Sequence, residues 1–423
     1  MGEKPFVTIA EKYFERFPSF NLRINNAIKV KPSIVVVIPV FNEPNIKPTL
    51  DSLFFKQEKY NFQVEIILIV NHSSNASQIV KETNYITFDT LKEYATKYNS
   101  SKISIYPFFV NDLDPKHAGV GWARKIGMDI ALRRYKECKY NGVIVGLDAD
   151  STVSENYLNE INKFFKISNY TAVSIYFEHP IKGEEYDEVN YNFISLYELH
   201  LRYYKNALSF VGFPYAFHTV GSSFALTAKA YARQGGMNRR KAGEDFYFIN
   251  KLIKGESFGE INTAKVMPSP RISTRVPFGT GRAILDATTG DKNLNITYDF
   301  KIFMLLRTWF DSVSRQNFSY DDFPNIIKDF ISENEWLKNH NQILSNCRSH
   351  VTYMKRFCDK YDAFWVLKFI HFCRDGFFNN SSLIENCQQL LIEMKIKCAP
   401  ILEDQLELFR HLDKKRGKRP FYK

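Results

Sequence analysis

Cysteine is scarce in this chain of 423 residues: six thiols, at positions 138, 347, 358, 373, 387 and 398, with no Cys-x-x-Cys pair. That spacing offers neither a zinc ribbon nor a disulfide frame, so reduced thiols are expected. Long apolar runs are also missing. The longest, Ile34 to Phe41 and Phe210 to Phe217, reach eight residues, against the roughly 20 that cross a bilayer, so no transmembrane helix is expected. Residues 1–20 mix both charge signs with isolated aromatics and contain no apolar segment of the secretory type. The protein therefore reads as cytoplasmic. No repeat or low-complexity block is visible, and no recognised nucleic-acid motif is present.

What is there in quantity is core-forming material. Hydrophobic residues make up 44% and aromatics 15%, which excludes wholesale disorder. Length allows two or three domains. Lys and Arg number 57 against 46 Asp and Glu, a formal net charge of +11. Such an excess suits nucleic acid, an anionic membrane surface or phosphorylated substrates. The basic residues are dispersed except in the tail, where Lys414, Lys415, Arg416, Lys418, Arg419 and Lys423 cluster. The tail reads either as a solvated end or as a peripheral contact with the inner membrane face or a lipid-linked acceptor.

From Lys31 to about Met267, short β-branched runs alternate with stretches of helical period, the pattern of a mainly parallel sheet flanked by helices. The expected strands are 33–40, 64–70, 103–110, 143–147 and 171–176, with a last strand-like stretch before Arg271. Val120, Ala123, Ile126, Ile130 and Ala131 mark a helix over about 117–134, and Phe248, Ile249 and Leu252 another over 245–254. Beyond about Leu294 the texture becomes helical, with helices expected at 300–313, 325–344, 361–372 and 382–394. The fold class is α/β, organised as an N-terminal helical extension (1–30), a sheet domain (31–290) and a helical C-terminal region (291–423).

The strongest chemical feature is Asp148-Ala149-Asp150, directly after the apolar strand 143–147. Two carboxylates one residue apart at a strand end can address one site, and their oxygens suit Mg²⁺ or Mn²⁺; a polar turn is the plainer alternative. Three other segments accompany it in order: Ile38-Pro39-Val40-Phe41-Asn42-Glu43 closes the first strand, Gly119 to Gly127 opens a helix, and Gly243-Glu244-Asp245 precedes another. With all four in this order, residues 31–270 resemble the family 2 glycosyltransferases, inverting enzymes of the GT-A fold.

The resemblance implies a soluble, non-processive enzyme that moves a sugar from a nucleotide-sugar donor, UDP first and GDP next, to a glycan or other hydroxyl acceptor. It implies that Asp150 ligates the divalent metal and that Asp148 contacts the metal or the ribose. Asp245 is then the general base and Glu244 its neighbour in the catalytic pair. Pro39, Phe41, Glu43, Asn71, Arg124, Asp148, Ala149, Arg275 and Arg282 fall on the donor side; His218, Gly221 and Ser222 fall on the acceptor side. Read as residues alone, Asp245 fits a base or a helix N-cap, Glu43 a ligand or a turn carboxylate, and Arg124 a phosphate contact at a helix start or a solvated charge. The glycines at 119, 121 and 127 suit close backbone packing and do not form G-x-G-x-x-G.

The sequence departs from the family after the second strand. Two acidic residues are usual there, and this chain has Asn71-His72-Ser73-Ser74. Asn71 can accept a base N–H through its amide oxygen but brings no charge, and His72 reads as a surface residue. The segment Arg271 to Arg282 offers guanidinium forks and glycines for a diphosphate, or an ordinary basic loop. It lacks the Gln-x-x-Arg-Trp pattern of processive members. Asp112-Leu113-Asp114 reads as loop and capping, and Glu178-His179 as a turn. The C-terminal helices would shape acceptor choice or form a homo-oligomer contact. The rival readings are a non-catalytic glycan- or nucleotide-binding protein on the same scaffold and a sugar-nucleotide pyrophosphorylase, whose Gly-rich activating loop is missing.

Overall fold

The computed structural model describes all residues except 1–4, 18, 117, 239–242, 276–278, 316–317 and 416–423. The basic tail beyond Lys415 and residues 276–278 of the Arg-rich segment thus lie outside the described residues. The chain forms two units, Met1–Asn190 with Thr219–Leu285 and Tyr191–His218 with Asp286–Lys423. Residues 191–218 therefore group with the C-terminal helices, a pairing of distant segments that a boundary drawn on sequence texture does not register.

The first unit opens with α1 (Phe6–Arg16). A run of alternation follows: β1 (Pro32–Val40), α2 (Lys47–Phe54), β2 (Gln63–Ser73), α3 (Gln78–Tyr98), β3 (Ile103–Leu113), α4 (Val120–Glu137) and β4 (Val143–Gly146). Next come β5 (Ser151–Val153), α5 (Tyr157–Ile167), β6 (Ala172–Phe177), α6 (Glu188–Phe210), which runs on into the second unit, β7 (Phe224–Thr227), α7 (Ala228–Arg233), α8 (Glu244–Gly255), β8 (Phe258–Pro268) and α9 (Thr280–Thr288). The eight strands form one sheet in the order β3-β2-β1-β4-β7-β6-β8-β5. Pairings β1·β2, β1·β4, β2·β3 and β6·β8 are parallel, and β4·β7, β6·β7 and β5·β8 antiparallel. This is the α/β class with a mainly parallel central sheet that the alternation implied.

β1 and β2 lie in the middle of the β-branched core, and their residues from Ile34 to Val40 and Val64 to Val70 are buried almost without break, as strands covered on both faces must be. α4 packs directly on them. A Cβ at Gly127 would stand 2.4 Å from Val37 Cγ1 and 3.2 Å from Ile69 Cγ1, so glycine is what lets this helix approach the sheet. Arg134 further along α4 forks onto the buried Glu65 of β2, with Nη2 2.7 Å from Oε1.

α1 is fastened by polar groups. Tyr13 Oη donates to Asp129 Oδ1 (2.6 Å) and accepts from Lys125 Nζ (2.7 Å), while Tyr231 Oη donates to the same Asp129 oxygen (2.7 Å). All four side chains are buried, and each charge among them has its partner, which burial requires.

The second unit contains β9 (Ile296–Thr297), α10 (Phe300–Ser314), α11 (Asn325–Phe330), α12 (Glu333–Leu344), α13 (His350–Lys360), α14 (Ala363–Gly376), β10 (Ser381–Ser382), α15 (Leu383–Glu393) and α16 (Leu402–Lys414). The helical C-terminal region is as expected. The single helix read over 325–344 is two, because Ile331 is extended and Ser332 caps α12 through its side chain on Glu335 N. The core is aromatic: Trp309 stacks on Trp365 at 4.7 Å and meets Phe357 and Tyr361, each at 5.1 Å. All six cysteines are free. No helix among the described residues is long and apolar enough to cross a membrane.

Candidate active site

The carboxyl ends of parallel strands leave a crevice where the chain turns away, the general place for ligands in open α/β sheets. β1 and β4 end there. Beyond the last β1·β4 pair, Val37 with Gly146, Pro39 remains buried in β1 opposite Ile69 of β2; it belongs to the core. Asn42 then takes a left-handed conformation, φ 49°, which asparagine tolerates better than most residues. Its N–H is held by Asn84 Oδ1 at 2.8 Å. The turn buries Glu43 completely.

After β4, Ser151 N bonds Asp148 O at 3.1 Å and closes a tight turn over 148–151. Thr49 Oγ1 of α2 holds the Ala149 carbonyl at 2.8 Å. Ala149 is thereby an anchor, and the turn presents its two flanking carboxylates.

Asp148 joins a buried cluster. Arg124, in the first turns of α4 and 2% exposed, donates from Nη2 to Asp148 Oδ1 (2.6 Å) and from Nη1 to Glu244 Oε1. Asp245 accepts from the N–H groups of Gly221 (Oδ2, 3.0 Å) and Phe246 (Oδ1, 2.7 Å). Gly221 leaves room for the cluster: a Cβ would lie 2.9 Å from Arg124 Nη2 and 3.0 Å from Asp245 Oδ2 and would push against both side-chain ends. The N-cap of α8 is Gly243, at φ 68°, with Glu244 and Asp245 inside the first turn. Asp245 is therefore not the cap residue. Arg124, for its part, spans two carboxylates rather than lying solvated.

Asp150 belongs to a second cluster. Its Oδ2 accepts from Arg271 Nη2 (2.7 Å) and Arg275 Nη2 (3.2 Å). The same arginines hold Glu43: Arg271 Nη1 lies 3.0 Å from Oε1 and Nη2 bonds Oε2, and Arg275 Nη1 lies 2.9 Å from Oε2. Arg275 also reaches the carbonyls of Phe41 and Asn42, each at 3.4 Å. Arg271 is the residue the sequence reading left unassigned within a segment it had singled out. Nothing in the spacing of 271, 275 and 282 tells which guanidiniums turn toward the carboxylates. Arg282 sits in the first turn of α9 and is not part of this set.

Electrostatics follow from burial. Burial pushes the Asp150 carboxyl up to about 6 against the pull of Arg271, with Asp148 and Glu43 adding to the rise. Burial raises Glu244 and Asp245 as well, opposed in both by Arg124. It also disfavours the charge on Arg124, but Asp148, Glu244 and Asp245 outweigh it and leave that guanidinium above its ordinary value. Taken as ionised, five carboxylates (Glu43, Asp148, Asp150, Glu244, Asp245) face three guanidiniums (Arg124, Arg271, Arg275), a balance of 3 − 5 = −2. A divalent cation fits that deficit, and carboxylate oxygens are the donors Mg²⁺ and Mn²⁺ take.

Asn71, at the end of β2, is 1% exposed, and neither its Oδ1 nor its Nδ2 has a partner. A buried amide with both atoms unbonded is a place where a polar group of suitable shape can be received. His72 is not a surface residue: it is 2% exposed, with Nδ1 3.2 Å from Asn84 Nδ2. Burial, with Lys81 adding to it, lowers its pKa. The apolar run around it already marked β2 as a core strand.

Of the residues expected on the acceptor side, Gly221 adjoins Asp245, and Ser222 is buried with its Oγ 3.4 Å from Ser223 Oγ. His218 falls in the second unit, where its Nε2 lies 2.9 Å from Asp413 Oδ2. Asp114 accepts from Lys116 N (2.8 Å), the turn role expected of the second Asp-x-Asp. Glu178 pairs with Lys265 at 2.7 Å.

No family model matches the chain, and no curated protein matches it. Among solved structures it is similar to S. aureus TarS, residues 1–349. In the complex with UDP-GlcNAc the identity is 12%, covering 81% of this chain and 92% of that one, at a TM-score of 0.40. In the complex with UDP the identity is 13%, covering 81% and 87%, at a TM-score of 0.39.

Proposed function

We propose that this chain is an inverting glycosyltransferase of the GT-A, family 2 type, transferring a sugar from a UDP-sugar, with GDP-sugar second, to a hydroxyl acceptor. The observation that carries the reading is the pairing of two carboxylate clusters through one turn. Asp148 leads through Arg124 to Glu244 and Asp245, and Asp150 leads through Arg271 and Arg275 to Glu43.

In this reading Asp245 accepts the proton of the acceptor hydroxyl. Its two backbone N–H contacts aim the carboxylate, and Arg124 opposes the rise in pKa that burial causes, a rise that also makes it a stronger proton acceptor once ionised. The acceptor oxygen attacks the anomeric carbon opposite the diphosphate, forming the new C–O bond as the old one breaks. The electron pair leaves with the nucleoside diphosphate, and the configuration inverts. Asp150 and Asp148 would hold a Mg²⁺ or Mn²⁺ ion, whose chemistry is to neutralise the departing diphosphate. Glu43 and the Asn71 amide lie on the nucleoside side. A homo-oligomer and a membrane contact of the basic tail remain part of the proposal as expectations.

The test is calorimetry with UDP and GDP, with Mn²⁺ and with chelator, on wild type and Asp245→Asn, followed by transfer or donor-hydrolysis assays. Asp245→Asn is expected to bind nucleotide as wild type does while turnover falls about 10²- to 10⁴-fold. Full turnover in that variant would remove Asp245 as the base. Failure of both nucleotides to bind would remove the donor site.

A further inference from the structure

Arg271 and Arg275 do more than line the site. Their side chains are only 24% and 19% exposed, and both end on the same Asp150 oxygen. The segment is held in that pose. Asn190 Nδ2 bonds the Pro270 carbonyl at 2.9 Å, and Ser273 N bonds Gly281 O at 3.1 Å. Arg275 Nε bonds Ser273 Oγ at 3.1 Å. A Cβ at Gly281 would stand 2.6 Å from Ser273 Cβ, so glycine is what allows the two stretches to touch.

A divalent cation approaching Asp150 thus meets an oxygen already covered by two like charges. The protein offers it little else: no three His, Cys, Asp or Glu side chains converge as a cation cage among the described residues. A nucleoside diphosphate changes both conditions. Phosphate oxygens are strong, bidentate partners for guanidinium, and they complete the coordination of a cation that takes only one or two carboxylates from protein.

On the functional reading above, we infer that Arg271 and Arg275 exchange partners when a nucleoside diphosphate binds. They leave Asp150 and Glu43 for the phosphates, and this exchange makes cation binding at Asp150 conditional on the nucleotide. The two ligands then strengthen each other beyond their direct chelation, by the same factor in both directions.

The experiment titrates Mn²⁺ alone, read as free Mn²⁺ by electron paramagnetic resonance, into wild type and Arg271→Gln/Arg275→Gln. It is then repeated with UDP. With the competing charges removed, Mn²⁺ without nucleotide is expected to bind about tenfold tighter, within the usual range of coupling between sites. The ratio of Mn²⁺ affinities with and without UDP should shrink correspondingly. Adding Asp150→Asn should abolish the gain. Arg271→Lys/Arg275→Lys keeps both charges and should stay near wild type. Unchanged or weaker Mn²⁺ binding in a double Gln variant with a wild-type melting curve overturns the inference, as does an equal gain in the Lys variant. If the double Gln variant does not fold, Arg275→Gln alone, expected at about threefold, decides in the same way. Failure of UDP to bind wild type would instead sink the nucleotide-sugar reading, while the Mn²⁺-only comparison still reports whether the arginines and the cation compete.

Discussion

Asp150 illustrates how burial and neighbouring charges set the behaviour of one carboxyl. It accepts from Arg271 and Arg275, has Glu43 and Asp148 as neighbouring like charges, and burial lifts its pKa to about 6. A carboxyl whose folded pKa lies above its unfolded value, near 3.9, contributes stability below about pH 4 that is lost as pH rises through about 6. The protein without ligand should therefore lose about 1–2 kcal/mol more between pH 4.5 and 7 than Asp150→Asn does, measured by denaturant melts at both pH values. Equal losses would assign the pH dependence to other carboxyls. Asp148, Asp150, Glu244 and Asp245 were legible as a set because each sits at an element boundary beside a run of clear period. Arg124 was legible as a residue of interest, but its engagement of Asp148 and Glu244 was not. Those partners lie 24 and 120 positions away, and only the return of α8 to the end of β4 brings them together.

At the scale of elements, α4 faces two ways. Arg124 points to the site cluster, and Lys125, the next residue, points to Tyr13 of α1 and to Asp129 one turn further on. The N-terminal helix, whose role the sequence leaves undetermined, is thus seated by a buried polar network on the back of the helix that carries Arg124. Tyr13→Phe removes the group that accepts from Lys125 and donates to Asp129. It should cost about 1–3 kcal/mol, the range for stranding buried polar partners, read as a drop in denaturant midpoint. Tyr231→Phe takes only one donor from Asp129 and should cost less. A loss within error for Tyr13→Phe would mean that water fills the place of the phenol. The long strands of the sheet, α4 and α8 were legible from their periodicity, whereas the two longest helices, α3 and α6, were not singled out. β5 and β7 were not: three and four residues long, they are strands because β8, β4 and β6 pair with them.

At the scale of the whole molecule, each unit has its own buried ionic device. In the second, Asp413 of α16 accepts from Arg202 Nη1 (2.5 Å), Lys205 Nζ (2.9 Å) and Asn206 Nδ2 (2.8 Å), all on α6. Glu198 of α6 in turn holds Arg202 at 2.9 Å and Arg410 of α16 at 2.7 Å. Burial works against the Asp413 charge, but Lys205, His218 and Arg202 prevail and keep it well below the usual carboxylate range. Asp413→Ala removes one of the two carboxylates that hold the fully buried Arg202, along with the partner of Lys205 and Asn206, and should cost about 3–5 kcal/mol. Hydrogen exchange should show lost protection in α6 and α16. Wild-type protection in both helices would mean that Glu198 alone satisfies Arg202.

The sequence by itself determined the α/β class, the parallel strands that open the sheet, the helical C-terminal region and the carboxylates at the strand ends. These rest on local period and on residue chemistry, which neighbours in the chain express. Tertiary structure alone decided which guanidinium meets which carboxylate, that residues 191–218 pack with the C-terminal helices, and that His218 serves Asp413. Those are pairings across 24 to 228 positions. Electrostatic attraction acts through space and carries no sequence period, so nothing short of the folded chain could select them.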